Sequence, residues 1–281
     1  YWADGCMTPP SNDALTQDNL TAKAMGFNGA RKHQKLEDPY FYYYADTLGV
    51  MVWSETPSAY RFNADEARAL TETQFDVIER SYNHPSVVAY VPINESWGVK
   101  EVLYNEEQKS FARSLYRLVK SLDPSRLTVT NDGWENLAET DIISVHDYSK
   151  DGDEFALKYG NLAESTYPMW KRLMARGETL PVKPLMLTEY GGIAIDTGGG
   201  WGYSGAEKSV DDIFARFTRL SENAFAAFPA GACYTQLTDV EQEQNGLLDH
   251  RHRPKFSVHT IREIMDKFDE KSQFAKKEKI L

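Results

Sequence analysis

A (β/α)8 barrel is the fold class the chain predicts, on three observations. Short β-branched or apolar runs alternate with longer segments of helical periodicity along the 281 residues, the pattern of a parallel sheet covered by helices. The length suits one such barrel, which typically takes about 250 residues, and is short for two full domains. The main competitor, an open doubly wound sheet, wants a Gly-rich fingerprint after its first strand, and none is present. The expectation is one domain over residues 1–281.

The first helix covers 12–25, with Ser11 or Asn12 as its cap and Gly26 as its stop. Strands follow at 27–31 and 50–54, and the tyrosine-rich run 40–44 between them reads as helix packing. A helix over 64–81 starts after Asn63, with Glu66 at capping-box spacing. The strand at 87–94 leads to a helix at 107–122, where Phe111, Leu115, Leu118, Val119 and Leu122 share one face. Strands at 127–131, 142–148 and 185–190 come next, then a helix at 209–228 and a strand at 232–237. That makes seven strands, one short of a closed ring, and the chain opens in a loop before a helix. The first strand is therefore expected upstream of Tyr1. Seven strands alone would leave two edges unpaired.

Composition excludes several classes. Lysine plus arginine total 31 against 42 acidic residues, a net charge of −11, which is the wrong sign for a nucleic-acid footprint. No apolar run approaches the roughly 18 residues of a membrane span, so no membrane partner is expected. The opening Tyr1-Trp2-Ala3-Asp4 has neither a basic leader nor an apolar core, so no signal peptide is expected there. The compartment stays open between cytoplasmic and secreted. With only Cys6 and Cys233, a disulfide scaffold and structural zinc are both excluded. No cofactor is expected, and a homo-oligomer is compatible with the sequence. The 6 Trp and 16 Tyr either fill a large core or supply platforms for carbohydrate.

Barrel chemistry sits at the C-terminal ends of strands. The run Val87-Val88-Ala89-Tyr90-Val91-Pro92-Ile93 ends in Asn94-Glu95-Ser96-Trp97-Gly98, and Leu185-Met186-Leu187-Thr188 ends in Glu189-Tyr190-Gly191-Gly192. Either glutamate alone reads as an ordinary exposed carboxylate. Two of them at two strand mouths match what glycosidic cleavage requires: one carboxyl to protonate the leaving oxygen, another to attack the anomeric carbon or activate water.

These segments, with two others, resemble the family-two glycoside hydrolases, the group of β-galactosidases, β-glucuronidases and β-mannosidases. Gly26-Phe27-Asn28-Gly29-Ala30-Arg31-Lys32-His33 is similar to the family's Gly-x-Asn-x-x-Arg segment on its second strand. Asp46-Thr47-Leu48-Gly49-Val50-Met51-Val52-Trp53-Ser54-Glu55 is similar to the third-strand segment. His84-Pro85-Ser86-Val87 through Asn94-Glu95-Ser96 resembles the acid/base signature, and Thr188-Glu189-Tyr190-Gly191 the nucleophile strand. The resemblance implies a catalytic TIM barrel with β-sandwich domains ahead of it. It also implies a retaining mechanism, with Glu189 as nucleophile, Glu95 as acid/base and Asn94 on the sugar 2-hydroxyl. Tyr148 matches a tyrosine held against the nucleophile, where a neutral phenol would stabilise the carboxylate.

Other positions carry less. The resemblance places Arg31 as a support for the nucleophile carboxylate, and a core ion pair explains it equally well. His33 departs from the family's usual Arg-x-x-His spacing. Glu55 is placed either to hydrogen-bond sugar hydroxyls or to brace the site, and His146, at a position often held by asparagine, to contact the sugar. Trp201 and Tyr203, in the Gly-rich run from Thr197, form either a flap over the sugar or a plain surface loop. His250 and His252 read as a solvated polar loop. Clan relatives usually carry a tryptophan under the sugar after the eighth strand; Gln236 or a neighbour stands there instead, leaving Trp97, Trp134 or Trp201 as substitute floors. The glucuronidase Asn-x-Lys motif is absent, since Asn245 is followed by Gly246 and Leu247. A neutral glycone, galactose before mannose, is therefore expected, with β-mannosidase and β-glucuronidase as alternatives. A carbohydrate-binding barrel without turnover should lack one carboxylate, yet both are present. A metal-dependent barrel needs more His/Asp ligands than His33 and His146.

Overall fold

The computed structural model describes residues 1–159, 172–195 and 198–278. In chain order the elements are α1 (Asn12–Ala24), β1 (Gly29–Lys32), α2 (Pro39–Leu48), β2 (Met51–Glu55), α3 (Ala64–Ser81), β3 (Val87–Val91), α4 (Glu106–Leu122) and β4 (Leu127–Thr128). After them come β5 (Ile143–Asp147), α5 (Asp153–Tyr159), β6 (Leu185–Gly191), β7 (Ala194–Ile195), β8 (Ala206–Glu207), α6 (Val210–Ala227), β9 (Ala232–Thr235) and α7 (Val258–Glu278). Each of the seven expected strands is present. Helix α2 covers the tyrosine-rich run read as helix packing, and helices α5 and α7 and the short β7–β8 ladder are additional. No helix among the described residues is long and apolar enough to cross a membrane.

The chain divides into two compact units. One comprises Gly29–Asp147 with Lys158–Thr188, the other Tyr1–Asn28, Tyr148–Leu157 and Glu189–Leu281.

In the first unit, β1, β2, β3 and β4 form a parallel sheet in sequential order. The register pairs Lys32 with Ser54 and Glu55 with Val91, so the ends of these strands lie side by side. The start of β6 runs beside β5, where the Ile143 N–H donates to the carbonyl of Pro184 (2.9 Å). Helix α3 starts at the Asn63 cap, whose Oδ1 accepts from the Glu66 N–H at 2.9 Å. The Glu66 carboxylate reaches back to the N–H groups of Tyr60 and Arg61 rather than to that of Asn63, a wider version of the expected box. Leu70 on α3 and Ala112 and Leu115 on α4 pack with Ile93, Val99, Val102 and Leu137, and this contiguous apolar cluster anchors both helices. Strand β4 is shorter than expected. The chain beyond it forms an isolated bridge from Asp132 to Asn94, past the end of β3.

In the second unit, α7 packs on α1 and α6. Helix α6 buries Ile213, Phe217, Leu220 and Ala224 along one face. Beyond β6 the Gly192 N–H donates to the carbonyl of Thr235 on β9 (2.8 Å). Gly191 has φ +93°, and a Cβ there would lie 2.2 Å from the Tyr234 ring, so only glycine fits directly after Glu189-Tyr190. The expectation for His252 is corrected. Its ring stacks on Trp2 at 4.0 Å, Nδ1 lies 2.6 Å from Asp18 Oδ1, and Nε2 lies 2.8 Å from the Tyr1 carbonyl. It is a partly buried clasp on the N-terminal segment, whereas His250 is exposed. Burial of the ring against Trp2 requires both ring nitrogens to be satisfied, and Asp18 and Tyr1 do this.

Candidate active site

In the first unit the strand ends bring Arg31, His33, Glu55, Asn94, Glu95 and His146 into one network. Arg31 Nη2 lies 2.6 Å from Glu55 Oε2 and donates to Asn94 Oδ1 at 2.7 Å, while its Nε donates to Asp132 Oδ2 at 2.7 Å. Its side chain is only 6% exposed, so these are desolvated, charge-assisted bonds rather than surface pairs. Glu55 also accepts the Gln34 N–H (2.7 Å), and the half-exposed His33 approaches it at 3.2 Å. Asn94 Nδ2 is buried without a hydrogen-bond partner among the described residues. A buried amide donor left open in this way can take a ligand oxygen.

Glu95 and Ser96 have φ of +49° and +59°, a left-handed pair a few residues beyond β3. Each such residue costs about 1–3 kcal/mol and persists only where its surroundings hold it. The holding groups are visible. The Glu95 N–H donates to the Asp132 carbonyl at 2.8 Å, and the Ser96 N–H to Asn131 Oδ1 at 2.9 Å. The Ser96 hydroxyl donates to Glu135 Oε2 at 2.5 Å. On its side chain, Glu95 Oε1 lies 2.8 Å from His146 Nδ1.

In the second unit, Glu189 is 7% exposed and accepts a hydrogen bond from the Tyr148 hydroxyl at 2.5 Å. Burial, and then the negative charge of Glu189, push the Tyr148 phenol far above its ordinary range, so it stays a neutral donor. The Tyr148 ring stacks on Tyr203 at 4.6 Å, and Trp201 meets Tyr203 edge-on at 5.1 Å. The segment carrying Trp201 is tied down. The Trp201 N–H donates to the Gln242 carbonyl and the Gln244 N–H to the Trp201 carbonyl, both at 2.9 Å. Trp201 itself is 46% exposed. Thr197, at the start of the expected flap, lies outside the described residues. Beyond β9, Gln236 Nε2 is buried without a hydrogen-bond partner among the described residues.

The family model for glycosyl hydrolases family 2, TIM barrel domain, matches residues 9–269. The chain belongs to that family. Its fold is accordingly the family 2 TIM barrel, as the strand–helix alternation predicts. Among solved structures, the family 2 β-galacturonidase from Eisenbergiella tayi bound to galacturonate superposes with TM-score 0.75 at 20% identity, over 94% of this chain and 49% of that one. The β-D-glucuronidase of Dictyoglomus thermophilum gives TM-score 0.70 at 20% identity, over 92% of this chain and 47% of that one. Among curated proteins, a putative β-glucuronidase of Formosa agariphila is 29% identical over 143 residues, 48% of this chain and 17% of that protein. A β-glucuronidase of Streptococcus agalactiae is 25% identical over 195 residues, 60% of this chain and 31% of that protein. The family 2 domain described here thus spans less than a third of these curated relatives.

Sequence reasoning missed Asp132, together with Asn131 and Glu135 that hold Ser96. The signal was available. Asp132 is an acidic residue followed by glycine just past a strand, the pattern that singles out Glu95 and Glu189. Reading the fourth strand only to Asn131 stopped one residue short.

The Tyr148–Glu189 bond gives a direct expectation. Tyr148→Phe removes the hydroxyl and keeps the ring stack on Tyr203, so the fold should survive by circular dichroism. If Glu189 is the reacting carboxylate, loss of this one preorganised donor should lower kcat about 10²-fold. Aryl glycoside kinetics on the full-length protein check this, and an unchanged kcat would remove Tyr148 from the site.

Proposed function

We propose that the chain is the catalytic barrel of a retaining β-glycosidase, with Glu189 as nucleophile and Glu95 as acid/base. The observation that carries this reading is the different setting of the two strand-end carboxylates. Glu189 is buried against a neutral phenol donor, which favours an ionised, oriented nucleophile. Glu95 is 23% exposed on its side chain and meets an imidazole, a setting suited to proton exchange. In the first step Glu189 bonds to the anomeric carbon as the glycosidic bond breaks, and Glu95 gives its proton to the departing oxygen. In the second, Glu95 takes a proton from water, which attacks the same carbon and releases Glu189. Asn94, with its free amide donor, serves the sugar 2-hydroxyl. Arg31, Glu55 and His33 shape the floor around it, and Trp201 offers a face to the ring. A cleft of about 720 Å³ beside Glu95, walled by Trp97, Trp134 and Tyr104, receives the leaving group. The anomer released from an aryl β-glycoside, followed by proton NMR, tests the mechanism: first-formed β product supports it, and α product overturns it.

Two glycone readings have support. A neutral sugar, galactose first, is supported by the residues after β9. Where glucuronidases carry Asn-x-Lys this chain has Asn245-Gly246-Leu247, and the nearby Lys255 is engaged by Asp239 and by the Gln244 carbonyl. A hexuronide is supported by the relatives, which are named for glucuronides and a galacturonide. Arg251 is then the carboxylate partner, being exposed and without an ion pair among the described residues, whereas Arg253 is paired with Asp249. The test is a kcat/KM ranking of aryl β-galactoside, β-mannoside, β-glucuronide and β-galacturonide with the full-length protein. A leading galactoside supports the neutral reading. A leading hexuronide whose advantage collapses in Arg251→Ala establishes the other.

A further inference from the structure

We propose that Asp132 is a positioning residue for the acid/base: it holds a proton on His146 Nε2, so that Nδ1 is the nitrogen that serves Glu95. The proposal rests on the assignment of Glu95 above and extends it to a residue that does not touch the substrate.

The geometry runs through three side chains of the first unit. His146 Nδ1 lies 2.8 Å from Glu95 Oε1, and its Nε2 lies 3.4 Å from Asp132 Oδ2. The imidazole, fully buried, thus sits between two carboxylates. Asp132 is itself held from two further strands. Its Oδ2 accepts from Arg31 Nε on β1, and its Oδ1 accepts from the Thr188 hydroxyl on β6, both at 2.7 Å. Burial alone would raise the Asp132 carboxyl, but the charge of Arg31, with the hydrogen bond from Thr188, holds it well below the usual carboxylate range. An ionised carboxylate only accepts. The 3.4 Å approach of Nε2 to Asp132 Oδ2 is an ionic contact that favours hydrogen on that nitrogen, and tautomer choice at one nitrogen dictates the role of the other.

The backbone of the same segment supports this. Asp132 accepts the Glu95 N–H at its carbonyl (2.8 Å), so one residue holds the main chain of Glu95 and the side-chain partner of its carboxyl. The next residue, Gly133, has φ +100°, and a Cβ there would lie 2.7 Å from His146 Nδ1. Glycine lets the backbone press on the ring face. Nδ1 then has two states: it accepts from a protonated Glu95, or it donates to the Glu95 carboxylate. Both suit an acid/base that alternates between forms. With asparagine at position 132, the amide can offer its own N–H to Nε2. The neutral ring is then free to move its proton to Nδ1, which can no longer accept from protonated Glu95. A carboxylate that orients a catalytic histidine in hydrolase triads acts by the same tautomer logic.

The test compares wild-type full-length protein with Asp132→Asn, His146→Gln and Thr188→Val. Ring-nitrogen NMR of 15N-histidine protein, with His146 assigned by its loss in His146→Gln, reads the tautomer without requiring turnover. Wild type and Thr188→Val should show Nε2–H, and Asp132→Asn should show a substantial Nδ1–H population. In kinetics, Asp132→Asn should lose at least about tenfold more kcat/KM on poor leaving groups than on dinitrophenyl glycosides, since it acts through the acid. An unshifted tautomer in folded Asp132→Asn, or a wild-type ring with a bare Nε2, overturns the proposal. If Asp132→Asn does not fold, His146→Gln must show the same leaving-group dependence, and equal loss on both substrate classes refutes the relay. A protein that turns over no glycoside refutes the proposed function, while the tautomer measurement still decides the role of Asp132.

Discussion

Replacing Glu189 by glutamine is expected to lower kcat by about 10⁵–10⁶-fold, the scale seen when a covalent nucleophile is removed. The amide keeps the shape of the side chain and can still accept from the Tyr148 hydroxyl, so folding should be little affected. What is lost is the charge that attacks the anomeric carbon and the ester it forms. A fluorosugar inactivator should accordingly label Glu189 in the wild-type protein, as mass spectrometry of the digest would show, and should not label Glu189→Gln. In the full-length enzyme the Glu95 carboxyl should lie about 5–5.5 Å from that of Glu189, because in a retaining enzyme the second carboxylate attacks the carbon itself rather than through a water. Label on another residue, or a separation near the inverting range, would remove Glu189 from this role.

Strand β3 was legible because it is largely buried on both faces and so reads as a continuous apolar run. In β3, Val87, Ala89, Tyr90 and Val91 are all 2% exposed or less. The two glutamates were legible because each follows such a run beside glycine. Helix α7 was harder to read. Its buried residues Ile261, Ile264, Met265 and Phe268 are separated by charged ones such as Arg262, Glu263 and Asp266, and its packing on α1 joins opposite ends of the chain. His252 was misread for the same reason, since its partner Asp18 lies 234 positions away and no local pattern announces the pair. The network around Asp132 shows where one-dimensional reading stops. Arg31, Thr188 and His146 come from three strands, and only their parallel ends place them on one carboxylate. A residue that acts through others carries no motif of its own, so its role emerges from distances rather than spacing.

The largest effect after the nucleophile is expected at Glu95, and its form is diagnostic. A general acid contributes about 10²–10⁴-fold, but only where the leaving oxygen needs a proton. Dinitrophenolate leaves unaided, so the first step on a dinitrophenyl glycoside should barely slow in Glu95→Ala. Phenyl and alkyl glycosides should lose most of that factor. The second step is affected for both classes, because water attacking the Glu189 ester no longer finds a base. The glycosyl-enzyme should therefore accumulate on activated substrates, seen as a burst of dinitrophenolate followed by slow turnover. Azide needs no deprotonation and fits the space the carboxyl vacates, so it should restore turnover and yield the β-glycosyl azide. The truncation also takes away a close partner of the buried His146 Nδ1. Some loss of stability is expected from that, and thermal unfolding of Glu95→Ala and Glu95→Gln separates it from the chemistry, since the glutamine keeps a polar partner for the ring. If both substrate classes slow equally, with no burst and no azide effect, Glu95 is not the acid/base and the proton must come from elsewhere in the network.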